Sequence, residues 1–192
     1  MLPDVTNAGR IEVVCGPMFA GKTEELLRRV RRAVIAGRRV VVVGHALDVR
    51  HGIDRVASHV GLDHPSVSAS TIADIREAIP AGTEIVAIDE AQFFGPDLVA
   101  LATDIAAQGL TVIVAGLDVT FEGEPFEPLP SLMALAERVD KLTAICTVCG
   151  DEAVFHERVT GARSDAGNVV AEHVGGTETY QARCRRHFRR AG

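Results

Sequence analysis

No stretch of this chain is apolar enough to cross a bilayer. None approaches the roughly 18 residues required, and the longest runs, Val40–Val43 and Leu110–Leu117, have the length of buried strands. The N-terminus lacks a basic start and an apolar core segment and carries Asp4, so no signal peptide and a cytoplasmic location are expected. Cysteine is scarce. Four in 192 residues make a poor disulfide framework for a cytoplasmic chain, so their spacing is better read for metal. A net basic charge is also missing: 20 Lys and Arg stand against 26 Asp and Glu, a formal charge of −6. That weighs against a chain whose main task is gripping nucleic acid, and no membrane partner is expected either. There is no internal repeat and no low-complexity tract. What remains is 47% hydrophobic and 24% charged residues, the balance of a folded globular protein with one full core and room for a small appended module.

The apolar pattern predicts an α/β core. Ile11–Cys15 reads as a strand, followed by a glycine-rich turn and a basic helix from about Lys22 to Ile35, with Gly37 placed to end it. Arg39–Val43 is almost continuously apolar, as a strand covered on both faces should be. Thr71-Ile72-Ala73-Asp74 predicts a capping box opening a short helix to about Ala78, closed by Pro80. Glu84–Ile88 and Leu110–Ala115 are further strands, with a helix from Pro96 to Gln108 between them. Strands alternating with helices imply a parallel sheet flanked by helices. Residues 44–70 show no clear period and are expected to be partly mobile. After Ala144 the texture changes to short strand-like runs, Ala153–Val159 and Asn168–Ala171, so domains of 1–143 and 144–192 are expected.

Three patterns carry chemistry. Gly16-Pro17-Met18-Phe19-Ala20-Gly21-Lys22-Thr23 fits G-x-x-x-x-G-K-[ST] between a strand and a helix, the context a phosphate loop requires. Its glycines let the backbone wrap a β-phosphate, its amides and the helix N-terminus attract an anion, Lys22 adds a point charge, and the Thr23 hydroxyl can ligate Mg²⁺. This makes the larger domain a P-loop NTPase core that takes ATP with Mg²⁺. The apolar strand Ile85–Ile88 then delivers Asp89 and Glu90 at its C-terminal tip, where open α/β sheets bind ligands. Asp89 fits the metal-partner role of P-loop proteins. Side chains adjacent on a strand point to opposite faces, so Glu90 should turn toward an acceptor hydroxyl, whose proton it could take as general base. Finally, Cys146-x-x-Cys149 and Cys184-x-x-His187 are two chelating pairs whose three thiolates and one imidazole would close a tetrahedral, structural Zn²⁺ site. Cys15, inside the first strand, reads as a small core hydrophobe.

These residues resemble a known family. GPMFAGKTEELLRRVRR (Gly16–Arg32), Asp89-Glu90-Ala91-Gln92-Phe93-Phe94, Gly116–Phe121 with Glu124-Pro125-Phe126, Ala136–Cys146, and Val174-Gly175-Gly176 leading to Tyr180 are similar, in order, to the type II thymidine kinases, the zinc-containing tetrameric class. The likeness runs from about Gly9 to Phe188. It implies that Glu90 is the general base for the nucleoside 5′-hydroxyl, and that Lys22, Thr23 and Asp89 serve phosphate and Mg²⁺. Arg50 would lie near the reacting phosphates. Met18, Phe93, Leu117, Phe121, Phe126 and Tyr180 would enclose thymidine. It further implies a lasso loop from Arg158 to about Tyr180, tied down by the zinc, with Val174 and Gly175 contacting the base. A homotetramer and feedback inhibition by thymidine triphosphate (dTTP) are expected on the same ground.

The chain departs from the family at several positions. Gly44-His45 stands where many relatives have Lys-Pro, although Asp48, Arg50, Ser58 and His59 remain. His156 replaces a common threonine near the base's 5-methyl group, and Ala171 and His173 replace lasso valines. These changes imply that deoxyuridine is accepted alongside thymidine. The basic tail Arg183–Arg190 has two readings, a solvated tail beside a metal knot or a phosphate or nucleic-acid contact. An ATP-driven nucleic-acid-binding protein and a non-catalytic nucleotide-binding regulator are the rival classes.

Overall fold

The computed structural model describes residues 8–47, 55–57, 63–158 and 179–190. In chain order the core holds β1 (Arg10–Cys15), α1 (Lys22–Ile35), β2 (Val40–His45), β3 (Arg55–Ala57), β4 (Asp63–Pro65), β5 (Val67–Ala69), α2 (Ile72–Glu77) and β6 (Ile85–Ile88). A 3-10 turn (Ala91–Phe94), α3 (Asp97–Ala107), β7 (Thr111–Gly116), α4 (Leu129–Leu135) and β8 (Arg138–Lys141) complete it. Then come β9 (Ala144–Ile145), β10 (Glu152–Ala153), β11 (Phe155–Arg158) and β12 (Tyr180–Arg183). Among the described residues no helix is long and apolar enough to cross a membrane.

The main sheet is six-stranded in the order β5-β2-β6-β7-β1-β8, and each neighbouring pair runs parallel. Period-2 alternation divides its side chains between two cores. Val13, Val41, Val43, Val86, Ile88, Val112 and Val114 face α2, α3 and α4. Val14, Val42, Ala87, Ile113 and Ala115 face Leu26, Leu27 and Val30 of α1. The sheet is thus covered on both sides, which is why its central strands are apolar throughout.

The expected caps are present. Thr71 and Asp74 form the reciprocal capping box of α2. Gly37 takes φ 73° after α1, and the N–H groups of Gly37 and Arg38 donate to Val34 O and Ala33 O at 2.9 and 3.0 Å, closing the last carbonyls. The sheet is wider than the four strands the apolar pattern predicts. β5 lies inside the stretch with no clear period, and β8 reads as polar because Arg138 and Lys141 face solvent at a sheet edge. In the tail the expected Ala153–Val159 run divides into β10 and β11, while Asn168–Ala171 lies outside the described residues. β9 pairs antiparallel with β10 and β11 with β12, around a small apolar cluster of Ala144, Cys146, Ala153, Ala182 and Cys184.

Candidate active site

Strand order assembles the site. β7 lies between β1, which leads into the phosphate loop, and β6, which leads to Asp89 and Glu90, so the three C-terminal tips stand side by side. Gly16 has φ 146°, and a Cβ there would meet Leu142 O at 2.4 Å, so the loop requires glycine to pass the end of β8. Gly21 (φ 81°) sits at the start of α1 in the left-handed region. Phe19 shares that region at φ 68°. The Lys22 ammonium donates to Pro17 O at 2.8 Å, folded over its own loop, and Thr23 follows it in the first turn of α1.

Asp89 is buried, its N–H donating to Val43 O at 2.9 Å and its Oδ1 accepting from the Glu90 N–H at 2.9 Å. The strand has already ended at Ile88, so strand alternation does not set the direction of Glu90. A left-handed backbone at φ 51°, ψ 42° does. Its Oε2 accepts from Gln92 Nε2, and Gln92 Oε1 accepts from the Leu117 N–H at 2.9 Å. Beyond β7, the buried Asp118 carboxylate meets Lys141 Nζ at 2.6 Å. Burial, and then the Asp118 carboxylate, push the Cys15 thiol up to about 12, so it stays neutral beneath the loop. Motif matching assigns no role to Gln92, Asp118 or Lys141. Gln92 and Asp118 stand inside quoted motifs, but their partners are distant in sequence.

Of the six apolar positions singled out in the sequence, five pack together: Met18, Leu117 and Tyr180 form a buried cluster with Phe121 and Phe126 against it. Phe93 lies apart from them, its ring 5.4 Å from His45, whose own ring meets Phe94 edge-on at 4.6 Å. The β11–β12 hairpin brings fully buried His156 edge-on to Tyr180 at 5.7 Å, and sets the Arg158 guanidinium 4.9 Å over the Phe121 ring. Arg50, Val174 and Gly175 lie outside the described residues, as do Asp48, Ser58, His59, Ala171, His173 and nearly all of the expected lasso.

Cys146, Cys149, Cys184 and His187 converge, their ligand atoms all within 4.8 Å of one another. Cys149 Sγ is 3.7 Å from Cys184 Sγ, and His187 Nδ1 is 3.2 Å from Cys184 Sγ and 3.7 Å from Cys146 Sγ. Zinc–sulfur bonds of about 2.3 Å give a tetrahedral edge of about 3.8 Å, and a disulfide would need about 2.05 Å. The cluster therefore has the dimensions of a metal site. Burial pushes the Cys146 thiol up, but N–H groups of Cys184, Val148 and Cys149, with His187, outweigh it and bring it down to about 6. That favours the thiolate a metal needs. The basic tail is largely spent within the fold: Arg183 pairs with Glu157, Arg186 with Asp151 and Arg190 with Glu124, while Arg185 stacks on Phe155. This favours the solvated-tail reading.

The family model for thymidine kinase matches residues 9–188. A thymidine kinase of Halobacterium salinarum is 46% identical over 184 residues, covering 94% of each chain. Thymidine kinases of Deinococcus deserti and Deinococcus radiodurans are each 44% identical, covering 97% and 100% of this chain and 98% and 95% of their own. Among solved structures, domain III of the Thermotoga maritima replication initiation protein DnaA aligns over 70% of this chain and 55% of that one. Its TM-score of 0.41 and 14% identity are too low to bear on function.

Proposed function

The chain belongs to the thymidine kinase family, and from that premise we propose that it transfers the γ-phosphate of ATP to the 5′-hydroxyl of thymidine, giving dTMP for pyrimidine deoxynucleotide salvage. The observation that carries this reading is the convergence of a phosphate loop, an acidic strand tip and an apolar cluster at one end of one sheet.

Phosphoryl transfer asks for positioning and charge neutralisation rather than covalent catalysis. The N–H groups of Gly16 and Met18–Gly21 and the Lys22 ammonium suit the β- and γ-phosphates. Thr23 and Asp89 would hold Mg²⁺, which when bound neutralises charge on those phosphates. Glu90 accepts the proton of the 5′-hydroxyl as the O5′–Pγ bond forms. The bond from Pγ to the bridging oxygen breaks, and ADP leaves with that electron pair. Met18, Leu117, Phe121, Phe126 and Tyr180 give a thymine ring the apolar enclosure it needs, and the family resemblance alone adds Phe93. The family resemblance adds Arg50 at the phosphates and Val174 and Gly175 at the base. His156, behind Tyr180, is a specificity position, and deoxyuridine is a second acceptor.

The Cys146, Cys149, Cys184 and His187 donors suit structural Zn²⁺, since four protein ligands leave no position for substrate. Residues 1–143 would form the ATP-binding domain and 144–192 the zinc and lasso module. A cytoplasmic homotetramer inhibited by dTTP completes the reading, supported by the resemblance alone. Its direct test is Glu90→Gln, which should lower kcat by roughly 10²–10⁴ with ATP binding little changed. A near-normal kcat would move the base elsewhere.

A further inference from the structure

Gln92 is 3% exposed and spends both ends of its amide on partners from different elements. The Leu117 N–H can only donate, so the amide atom facing it must be the oxygen. That fixes the orientation of the group and obliges Nε2 to face Glu90 Oε2. The fold leaves room for this arrangement. At Gly116 a Cβ would stand 2.7 Å from Gln92 Oε1, so a side chain at the end of β7 would press the amide out of place.

Glu90 needs such a partner. Its backbone is left-handed and lies beyond the end of β6, so strand alternation does not direct its side chain. We propose that Gln92 is the positioning residue of the reaction: it straps the Glu90 carboxylate to the tip of β7, holding the base in register with the apolar cluster that Leu117 helps to build. The proposal rests on Glu90 being the general base. In this role Gln92 acts through Glu90 rather than on a reacting atom. The same strap makes the distance between base and acceptor pocket a property of two adjacent strand tips rather than of a flexible side chain.

The test is a double-mutant cycle on the full-length protein. Gln92→Met removes both hydrogen bonds at similar length. Gln92→Glu keeps an acceptor for the Leu117 N–H but replaces the donor to Glu90 with a second carboxyl group, which repels the base or shares its proton, so it strikes the catalytic arm. Each should lower kcat with thymidine by about 10²-fold, the cost of misplacing a reacting group by about 1 Å. The Kd for MgATP and the KM for thymidine should stay within about threefold, because binding is not what the strap supplies. In a Glu90→Gln background the same changes should cost less than about threefold in kcat, since residues acting as a unit are non-additive. Thermal unfolding of Gln92→Glu, run in parallel, separates a lost strap from a lost fold. Unchanged kcat in both Gln92 variants overturns the proposal, as does an equal further loss on top of Glu90→Gln. If Glu90→Gln itself keeps full kcat, the base assignment fails first and the strap falls with it.

Discussion

Glu90 holds a backbone conformation that costs a non-glycine residue about 1–2 kcal/mol, and its neighbours over-determine it: the Asp89 carboxylate takes its N–H, and its own carbonyl takes the Phe93 N–H at 3.1 Å. Strain of this kind gathers at functional sites. At the same scale the role in base specificity proposed for His156 has a measurable consequence. Being fully buried against Tyr180, His156 fills volume that a threonine would leave open. We expect wild-type protein to prefer thymidine over deoxyuridine by less than about 100-fold in kcat/KM, within what one methyl group yields, and His156→Thr to widen the gap. A larger wild-type preference, or no change on substitution, would remove His156 from specificity. Residue groupings were readable from the chain where a fixed local spacing carries them, as in the loop Gly16–Thr23 between β1 and α1 or the two converging Cys and His pairs. The Gln92 strap was not, because its second anchor is Leu117, 25 residues away on another strand tip.

The elements are tied together by a buried ion cluster. Arg29 of α1 meets Glu12 of β1 at 2.8 Å, Glu25 of its own helix at 2.9 Å, and Asp140 of β8. Hydrogen bonds from Arg28 and then, against desolvation, from Arg29 hold the Glu25 carboxyl at about 2 rather than 4.5. Arg138 and then Arg29 lower Asp140 as well. Folded-state values below the unfolded ones mean stability that is present above pH 4.5 and lost as pH falls toward 2. Arg29→Met should cost about 1–3 kcal/mol near neutrality, because Glu12 loses its buried partner but keeps Arg10 at 2.7 Å, and should flatten part of the acid limb. Urea midpoints of both proteins across that window check this; parallel acid limbs would show that Arg29 does not set the slope. The cluster also explains which elements the sequence displayed. β1, β2, β6 and β7 are covered on both faces and announce themselves as apolar runs. β8 is recruited to the sheet edge partly through the charge pair with α1, and β5 is three residues long, so neither has a hydrophobic period to read.

At the scale of the whole molecule, the Cys and His cluster stands immediately behind the strand that carries Tyr180: Cys184 follows β12, whose first residue closes the apolar cluster. Zinc bound there would fasten the hairpin, and with it the acceptor pocket, to the P-loop core. Native protein should contain about one zinc per chain, and Cys149→Ser should lose it together with thermal stability. Native protein free of zinc would contradict the structural site. The central claim, transfer to a nucleoside rather than to water or in response to DNA, is tested most directly by ADP release from MgATP with thymidine, deoxyuridine, deoxycytidine, single-stranded DNA or no acceptor, wild type beside Glu90→Gln. The account predicts release that depends on thymidine or deoxyuridine and falls roughly 10²–10⁴-fold in the variant. Release at the same rate without a nucleoside, or release stimulated by DNA, would contradict it.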